Sequence, residues 1–241
     1  MIFVPCVRLV MATSEALTSG RCWVLHRRAY RNSSLLVDLL GAPTGRFAVV
    51  ARGGQRDPLL QPFRPLLANW SGRGELRSLR SVEAAGVAVA LHGEALYCGL
   101  YLNELLVRLL HRDDPQPDLV LAYETALELL AVADNPVDVV LRHFEMRLLD
   151  AMGYALILQH DIQDQPLQGG LHYRLLPEQG LAVDASGPYP GVILNDIATG
   201  HWHADARRFA RDLMREALAP HLGDRPLVSR SLFRYAGKGA T

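Results

Sequence analysis

The 241-residue chain has few cysteines, a single lysine and no long apolar run. Its three cysteines, Cys6, Cys22 and Cys98, form no C-x2-C pair, so their spacing predicts neither a thiolate zinc site nor a disulfide framework. A reducing, cytoplasmic compartment is therefore expected. No stretch approaches the ~18 apolar residues of a membrane span, and no positive region precedes the apolar start, which argues against a signal peptide.

The sequence also lacks the short motifs of common enzyme classes. It contains no Gly-x-Ser-x-Gly, no Gly-x-Gly-x-x-Gly and no Cys/His pair with a family spacing. The glycine pair at residues 52–56 is not followed by the Lys-Ser/Thr that a phosphate-binding loop needs. We therefore expect a protein that is not an enzyme and that carries no cofactor.

Charge is balanced overall but unevenly distributed. The chain has 25 basic and 25 acidic residues, and all the basic ones except Lys238 are arginine, which codon bias in a GC-rich genome would explain. Residues 1–82 carry 12 arginines against four acidic residues, residues 83–200 carry five against 17, and residues 201–241 carry eight basic residues against four. This asymmetry indicates nucleic-acid contact in the basic parts.

Hydrophobic periodicity predicts an α+β protein whose first part is a small barrel. Alternating apolar residues and glycine turns predict five strands, at residues 22–28, 34–40, 46–52, 63–70 and 75–82. Three- and four-residue spacing then predicts helices at residues 90–112, 118–133, 135–152 and 204–221, with a hairpin at residues 171–183. Asn135 is the predicted N-cap of the third helix.

These elements predict an extension, a barrel domain and a helical domain. The bounds are residues 1–21, with Met11 as an alternative start, residues 22–85, and residues 86–241 with an insert at about 155–200. Asn103 and Glu104, on an otherwise apolar helix, are expected to form a hydrogen-bonding pair between helix and barrel.

Arginines of the barrel are the strongest candidates for a binding surface, because a guanidinium donates two parallel hydrogen bonds to phosphate and keeps its charge. Tyr30, Phe63 and Trp70 could stack on bases, but Phe63 and Trp70 are expected to fill the barrel core instead. The predicted DNA-binding residues are Arg27, Arg28, Arg31, Arg52, Arg56, Arg64, Arg73 and Arg77.

Two alternatives come from other classes of function. His201, His203 and Asp205 could bind zinc in a metal-dependent hydrolase, although Asp205 is better explained as a first-turn helix carboxylate. A barrel of this kind could also be an RNA-binding module. On the third helix, Arg142 and Arg147 lie beside apolar residues. This pattern fits a groove for a peptide that ends in an acid and an aromatic, but the residues alone favour an ordinary bundle helix with solvated charges.

Several segments resemble the RecO family of recombination mediators, in the same order along residues 22–235. They are Gln61-Pro-Phe-Arg-Pro-Leu-Leu67, Gly72-Arg-Gly-Glu75, Leu96-Tyr-Cys-Gly-Leu-Tyr-Leu-Asn-Glu-Leu-Leu106, Leu141-Arg-His-Phe-Glu-Met-Arg-Leu-Leu149 and Pro226-Leu-Val-Ser-Arg-Ser-Leu-Phe-Arg234.

The resemblance implies an N-terminal OB-fold, a helical domain and a small insert, here zinc-free because residues 155–200 contain no cysteine. It implies binding of single- and double-stranded DNA, annealing of complementary strands, and loading of RecA with RecR and the C-terminal tail of single-stranded DNA-binding protein. It also implies a nucleoid-associated location and places the acidic tail at Arg142 and Arg147. The family's basic loop after the third strand is shorter here and retains Arg52 and Arg56.

Overall fold

The computed structural model describes residues 17–236, with side chains described as far as residue 232. Most of the predicted extension of residues 1–21, including the alternative start Met11, therefore lies outside the described residues. So do Cys6 and Lys238.

The first part of the chain is a closed five-stranded barrel followed by helices, as the sequence predicts. Its strands are β1 (Thr18–Tyr30), β2 (Ser34–Gly41), β3 (Gly45–Ala51), β4 (Pro65–Ser71) and β5 (Leu76–Ala84). The order around the barrel is β1-β2-β3-β5-β4, and β4 pairs with β1 to close it. Only the β3–β5 pairing is parallel. This is the order and closure expected of an OB-fold.

The barrel is filled by the residues whose alternation predicted its strands. Val37, Val49 and Trp70 lie in its interior cluster, and the rings of Phe47 and Trp70 are 4.5 Å apart. Phe63 is also buried, but it packs against the helices outside the barrel. The expectation that Trp70 fills the barrel core is confirmed. For Phe63 it is wrong, because this side chain belongs to the cluster formed with the helices.

Three helices follow the barrel: α1 (Gly93–Leu109), α2 (Pro117–Ala131) and α3 (Val137–Ala151). Gly153 ends the third with a φ of 83°, a left-handed conformation that suits glycine. The predicted N-cap at Asn135 is wrong. The helix begins two residues later, and the Asn135 amide donates a hydrogen bond to the Leu129 carbonyl at the end of α2.

The insert contains a small three-stranded sheet followed by a helix, of which the sequence predicts only a hairpin. Its strands are β6 (His172–Leu176), β7 (Gly180–Val183) and β8 (Tyr189–Pro190), followed by α4 (Gly191–Thr199). The predicted hairpin is confirmed as β6–β7, whereas β8 and α4 were missed. The chain then forms α5 (Ala204–Leu222), which the sequence predicts, and α6 (Val228–Ala236), for which it predicts no element.

Besides its own interior cluster, the barrel contributes Trp23 and Leu25 to the hydrophobic core of the helices. A buried hydrogen-bond chain crosses the junction: the Asn103 amide donates to the Leu25 carbonyl at 3.0 Å and accepts from the Tyr123 hydroxyl at 2.7 Å. Asn103 thus joins helix to barrel as expected. Glu104 does not, because its carboxylate binds the backbone at the start of α6.

Within residues 17–236, no helix is long and apolar enough to cross a membrane.

Candidate nucleic-acid and partner interfaces

One end of the barrel carries a group of five arginines, here called the hairpin-end arginines. They lie on the β1–β2 hairpin and on the loop after β3: Arg27, Arg28, Arg31, Arg52 and Arg56. The Gln55 backbone N–H donates to the Ser33 carbonyl at 3.3 Å, and the Gln55 side chain donates to the Ser34 carbonyl at 3.2 Å. These bonds tie the loop to the hairpin, so the five arginines lie at one end of the barrel, where Arg27 and Arg28, adjacent in β1, point to opposite faces of the sheet.

The hairpin-end arginines have no acidic partner among the described residues. The side chains of four of them make no hydrogen bond or ion pair there, and the fifth, Arg31, places its guanidinium 5.2 Å from the Tyr30 ring centroid. Their positive charge is therefore uncompensated locally, which favours an anionic ligand.

The opposite end of the barrel contains a second, smaller basic site, here called the turn-end cleft. Its volume is about 280 Å³, and its lining is Thr18, Thr44, Trp70, Gly72, Arg73, Gly74 and Arg77. Gly72 and Gly74 both have positive φ, which lets the turn present Arg73 to solvent. Arg77 stacks over the Phe47 ring at 5.1 Å and donates a hydrogen bond to the Asp113 carboxylate.

The predicted DNA-binding arginines thus form two groups rather than one row. Six residues of β2 separate the two ends, a distance of roughly 20 Å at ~3.3 Å per residue. Between them, Asp38 is buried and forms ion pairs with Arg46 and Arg112, at 3.3 and 3.6 Å. Arg64 lies apart from both groups, just before β4, and its Nε is buried without a hydrogen-bond partner among the described residues. The assignment of DNA contact to these residues stays a prediction.

Arg142 lies in a cavity of about 550 Å³ between α1, α3, α5 and α6, here called the arginine cavity. The lining residues are Tyr101, Asp138, Leu141, Arg142, Glu145, Arg211, Arg215 and Arg230. Four guanidinium groups around one concave space favour binding of a carboxylate or phosphate.

The floor of the arginine cavity is a buried ion pair. One oxygen of Glu145 accepts hydrogen bonds from both Arg142 and the Tyr101 hydroxyl, each at 2.6 Å. Its other oxygen and the Arg142 Nε have no partner among the described residues. Burial raises the pKa of Glu145, although Arg142 opposes this. The cavity therefore retains unused hydrogen-bonding capacity at its floor.

Arg147 does not share this cavity. It lines a groove of about 270 Å³ between α2 and α3 with apolar neighbours that include Leu121, Leu129 and Phe144. Five residues along a helix turn the side chain by ~140°, so Arg142 and Arg147 point to different sides of α3. The expectation that they line one groove is therefore corrected, while partner binding by either residue stays a prediction.

The His201, His203 and Asp205 constellation is not assembled. His203 bonds the Asp196 carboxylate at 3.0 Å, whereas the Asp205 carboxylate bonds Arg208 in the first turn of α5. No group of three His, Cys, Asp or Glu side chains in the described part of the chain is placed to hold a metal ion. The helix-start explanation of Asp205 is confirmed.

Residue patterns missed several members of these sites. Arg211 and Arg215 lie on the helix predicted at residues 204–221, but nothing in the sequence identifies them as neighbours of Arg142. Arg230 belongs to the basic stretch of residues 201–241, without any predicted element of its own. Asp113, the partner of Arg77, gave no signal because it belongs to a loop between two helices.

Comparison with known proteins gives a consistent result over most of the chain. The family models for the N-terminal and C-terminal parts of recombination protein O match residues 16–87 and 91–231. A DNA repair protein RecO from Pseudomonas aeruginosa (PAO1) is 48% identical over 217 residues, covering 88% of this chain and 92% of that protein.

Two relatives from other genera agree. DNA repair protein RecO from Alkalilimnicola ehrlichii is 46% identical over 232 residues, covering 90% of each chain. The protein of the same name from Pseudoalteromonas atlantica is 41% identical over 222 residues, covering 88% of this chain and 92% of its own. The chain therefore belongs to the RecO family of DNA repair and recombination proteins.

Proposed function

We propose that this protein binds single- and double-stranded DNA through its barrel, anneals complementary strands and helps load RecA onto DNA coated with single-stranded DNA-binding protein. The observation that carries the proposal is the group of hairpin-end arginines, which lack acidic partners among the described residues. Membership of a DNA repair family supports DNA as the anion. Binding to the chromosome would associate the protein with the nucleoid.

Annealing on this surface needs no covalent chemistry. Arginine neutralises phosphate charge, so two strands held near the barrel repel each other less and can pair. Each neutralised phosphate releases condensed counterions, which makes the affinity fall with salt at a log–log slope of ~0.7 per contact on single strands. The proposal therefore predicts strong salt dependence and little sequence dependence.

The test replaces two hairpin-end arginines, as Arg52→Gln with Arg56→Gln, and measures single-stranded DNA affinity by fluorescence anisotropy across a salt series. Loss of two phosphate contacts should weaken binding to every sequence and make the slope shallower by ~1.4. Arg147→Gln with Arg174→Gln changes the net charge equally in the acidic middle of the chain and is the matched control.

Equal losses in the two double variants, or affinity that does not change with salt, would contradict binding by the hairpin-end arginines. Competition with RNA belongs to the same assay. If RNA competes better than DNA of the same sequence, the barrel is an RNA-binding module instead.

For partners, we propose that the helical domain binds the acidic C-terminal tail of single-stranded DNA-binding protein and that the protein acts together with RecR. The arginine cavity supports the first part, because Arg142, Arg211, Arg215 and Arg230 all line one concave space. Most residues that line the Arg147 groove are apolar, which suits an aromatic side chain.

The two pockets can be separated with single substitutions and a fluorescent tail peptide. Arg215→Ala should weaken peptide binding about tenfold by removing a charge-assisted contact. Arg208→Ala removes an equally exposed arginine from the same helix but outside the cavity, and should leave binding unchanged. Arg147→Ala shows whether the second groove contributes. Unchanged affinity in both Arg215→Ala and Arg147→Ala would refute the tail assignment.

The combined function is tested by annealing complementary strands that are precoated with single-stranded DNA-binding protein. Removal of the acidic tail from that protein should slow annealing, whereas naked strands should anneal at an unchanged rate. An identical rate on full-length and tail-less coats would contradict the proposed partnership.

A further inference from the structure

We propose that Asp113 occupies the phosphate-binding edge of Arg77 and thereby limits the affinity of the turn-end cleft for single-stranded DNA. The inference rests on the proposed binding of DNA by the barrel. It means that an acidic residue of the helical domain lowers the affinity of the barrel for single-stranded DNA.

The contact itself is close and partly shielded from solvent. The Arg77 Nη2 lies 2.5 Å from the Asp113 Oδ1, and the arginine side chain is only 15% exposed, against 42% for the aspartate. Arg77 also lines the cleft together with Arg73. The carboxylate therefore bonds one of the two guanidinium groups that this cleft would offer to a phosphate.

The position of Asp113 is fixed by its backbone rather than by the ion pair alone. Its N–H donates to the Arg46 carbonyl on β3 at 2.9 Å. The next residue, Asp114, packs so closely on Gly45 that a Cβ there would lie 1.9 Å from the Asp114 carbonyl oxygen. Arg112 donates to the Glu75 carbonyl in the β4–β5 turn at 3.3 Å. The loop thus holds its carboxylate at the barrel even if the side-chain contact is broken.

Carboxylate and phosphate oxygens accept hydrogen bonds from the same edge of a guanidinium group, so they compete for it. A DNA phosphate that reaches Arg77 must displace Asp113, whose half-exposed carboxylate then becomes hydrated. The exchange replaces one ion pair by another and adds little net attraction. By contrast, Arg73 has no partner among the described residues and meets a phosphate without such competition.

The experiment compares Asp113→Asn with Asp114→Asn in single-stranded DNA binding across a salt series. Both substitutions remove one negative charge from adjacent positions, but Asp114 bonds Gln116 instead of an arginine. Asn tolerates the φ of 59° at Asp113. Asp113→Asn should bind DNA about two- to fivefold more tightly at low salt, because binding no longer requires a partly exposed ion pair to be broken. Its slope should be steeper by ~0.7.

The same pair of substitutions is repeated in an Arg77→Gln background, where the advantage of Asp113→Asn over Asp114→Asn should vanish. Equal affinities of the two single variants, or an advantage that persists without Arg77, would overturn the inference. Asp113→Gly, which also suits the backbone, replaces Asp113→Asn if melting shows that the latter fails to fold.

Failure of the underlying function gives a different result. If the unsubstituted protein and every variant bind no DNA at low salt, the proposed function itself is wrong, and this inference falls with it.

Discussion

Among single side-chain contacts, the buried Arg142–Glu145 pair is one whose two partners depend strongly on each other. Both side chains are more than nine-tenths buried, and a single oxygen of Glu145 accepts from both Arg142 and Tyr101. A buried ion pair contributes little net stability, but removal of one partner leaves an uncompensated charge in a medium that solvates it poorly. The pair is therefore costly to break even though it is not strongly stabilising.

Glu145→Ala should lower the free energy of unfolding by about 3 kcal/mol, because Arg142 would remain buried without its carboxylate. Tyr101→Phe removes only one hydrogen bond to the same oxygen and should cost about 1 kcal/mol. Urea denaturation followed by circular dichroism measures both. Similar losses in the two variants would show that the charge pair is not the dominant interaction at this position.

At the scale of secondary-structure elements, α6 is held against α1 by a carboxylate at its first turn. Glu104 accepts from the backbone N–H groups of Val228 and Ser229, both at 2.8 Å, and from the Ser229 hydroxyl at 2.6 Å. Burial alone would raise the pKa of Glu104. The hydrogen bonds from Ser229 and Val228 outweigh that effect, so the pKa lies below its ordinary value.

Glu104→Gln should weaken the docking of α6 by about 1 kcal/mol, since the N-terminal N–H groups lose a charged acceptor. Because the folded pKa is below the unfolded value of ~4.3, the stabilisation is fully present above that pH and disappears as the pH falls through the folded pKa. Hydrogen exchange of the backbone N–H groups of residues 228–232, followed between pH 3 and pH 7, measures this stabilisation of α6. The control Glu128→Gln, at an exposed position on α2, should leave hydrogen exchange at residues 228–232 unchanged.

The sequence predicts the elements whose signals are local. Alternation at Leu35, Val37 and Leu39 predicts β2, and glycines bound the strands at the turns. The helix α4 was missed because it is nine residues long and begins with Gly191. The docking of α6 could not be predicted from neighbouring residues, because its capping carboxylate at Glu104 is 124 residues away in sequence.

In the candidate sites, too, the sequence reveals local features but not contacts between residues that are distant in the chain. Composition identifies the arginines, since charge is visible residue by residue. Their partners are not visible, because the contact of Arg77 with Asp113 depends on how a helix-connecting loop docks on the barrel. The separation of Arg142 from Arg147 was predictable in principle from their five-residue spacing on a helix.

At the scale of the whole molecule, the barrel and the helices meet at a tightly fitted junction. Gly45, the first residue of β3, has a φ of 70° and lies directly against the Asp114 backbone. Gly53 has nearly the same backbone conformation, at a φ of 68°, but nothing lies within 4 Å of its missing Cβ. Comparing a substitution at each glycine therefore distinguishes the free-energy cost of backbone strain from the cost of disturbing the junction.

Gly45→Ala should destabilise the protein by about 1–3 kcal/mol more than Gly53→Ala, because only the first forces the Asp114 loop away from the barrel. Both substitutions place a Cβ on a left-handed backbone, so the strain from that conformation is the same in both. Thermal unfolding of the two variants measures the difference. Equal melting temperatures would mean that the loop moves without cost and that the junction is loose.

The shared core fixes the distance between the two proposed binding surfaces. Trp23, Leu25, Leu40 and Phe63 of the barrel belong to the same buried cluster as the helices around the arginine cavity. A pivot of the barrel on the helices would separate that cluster, so we expect the two parts to rotate together in solution. A DNA strand on the barrel and a peptide in the cavity would thus be held at one separation and one relative orientation.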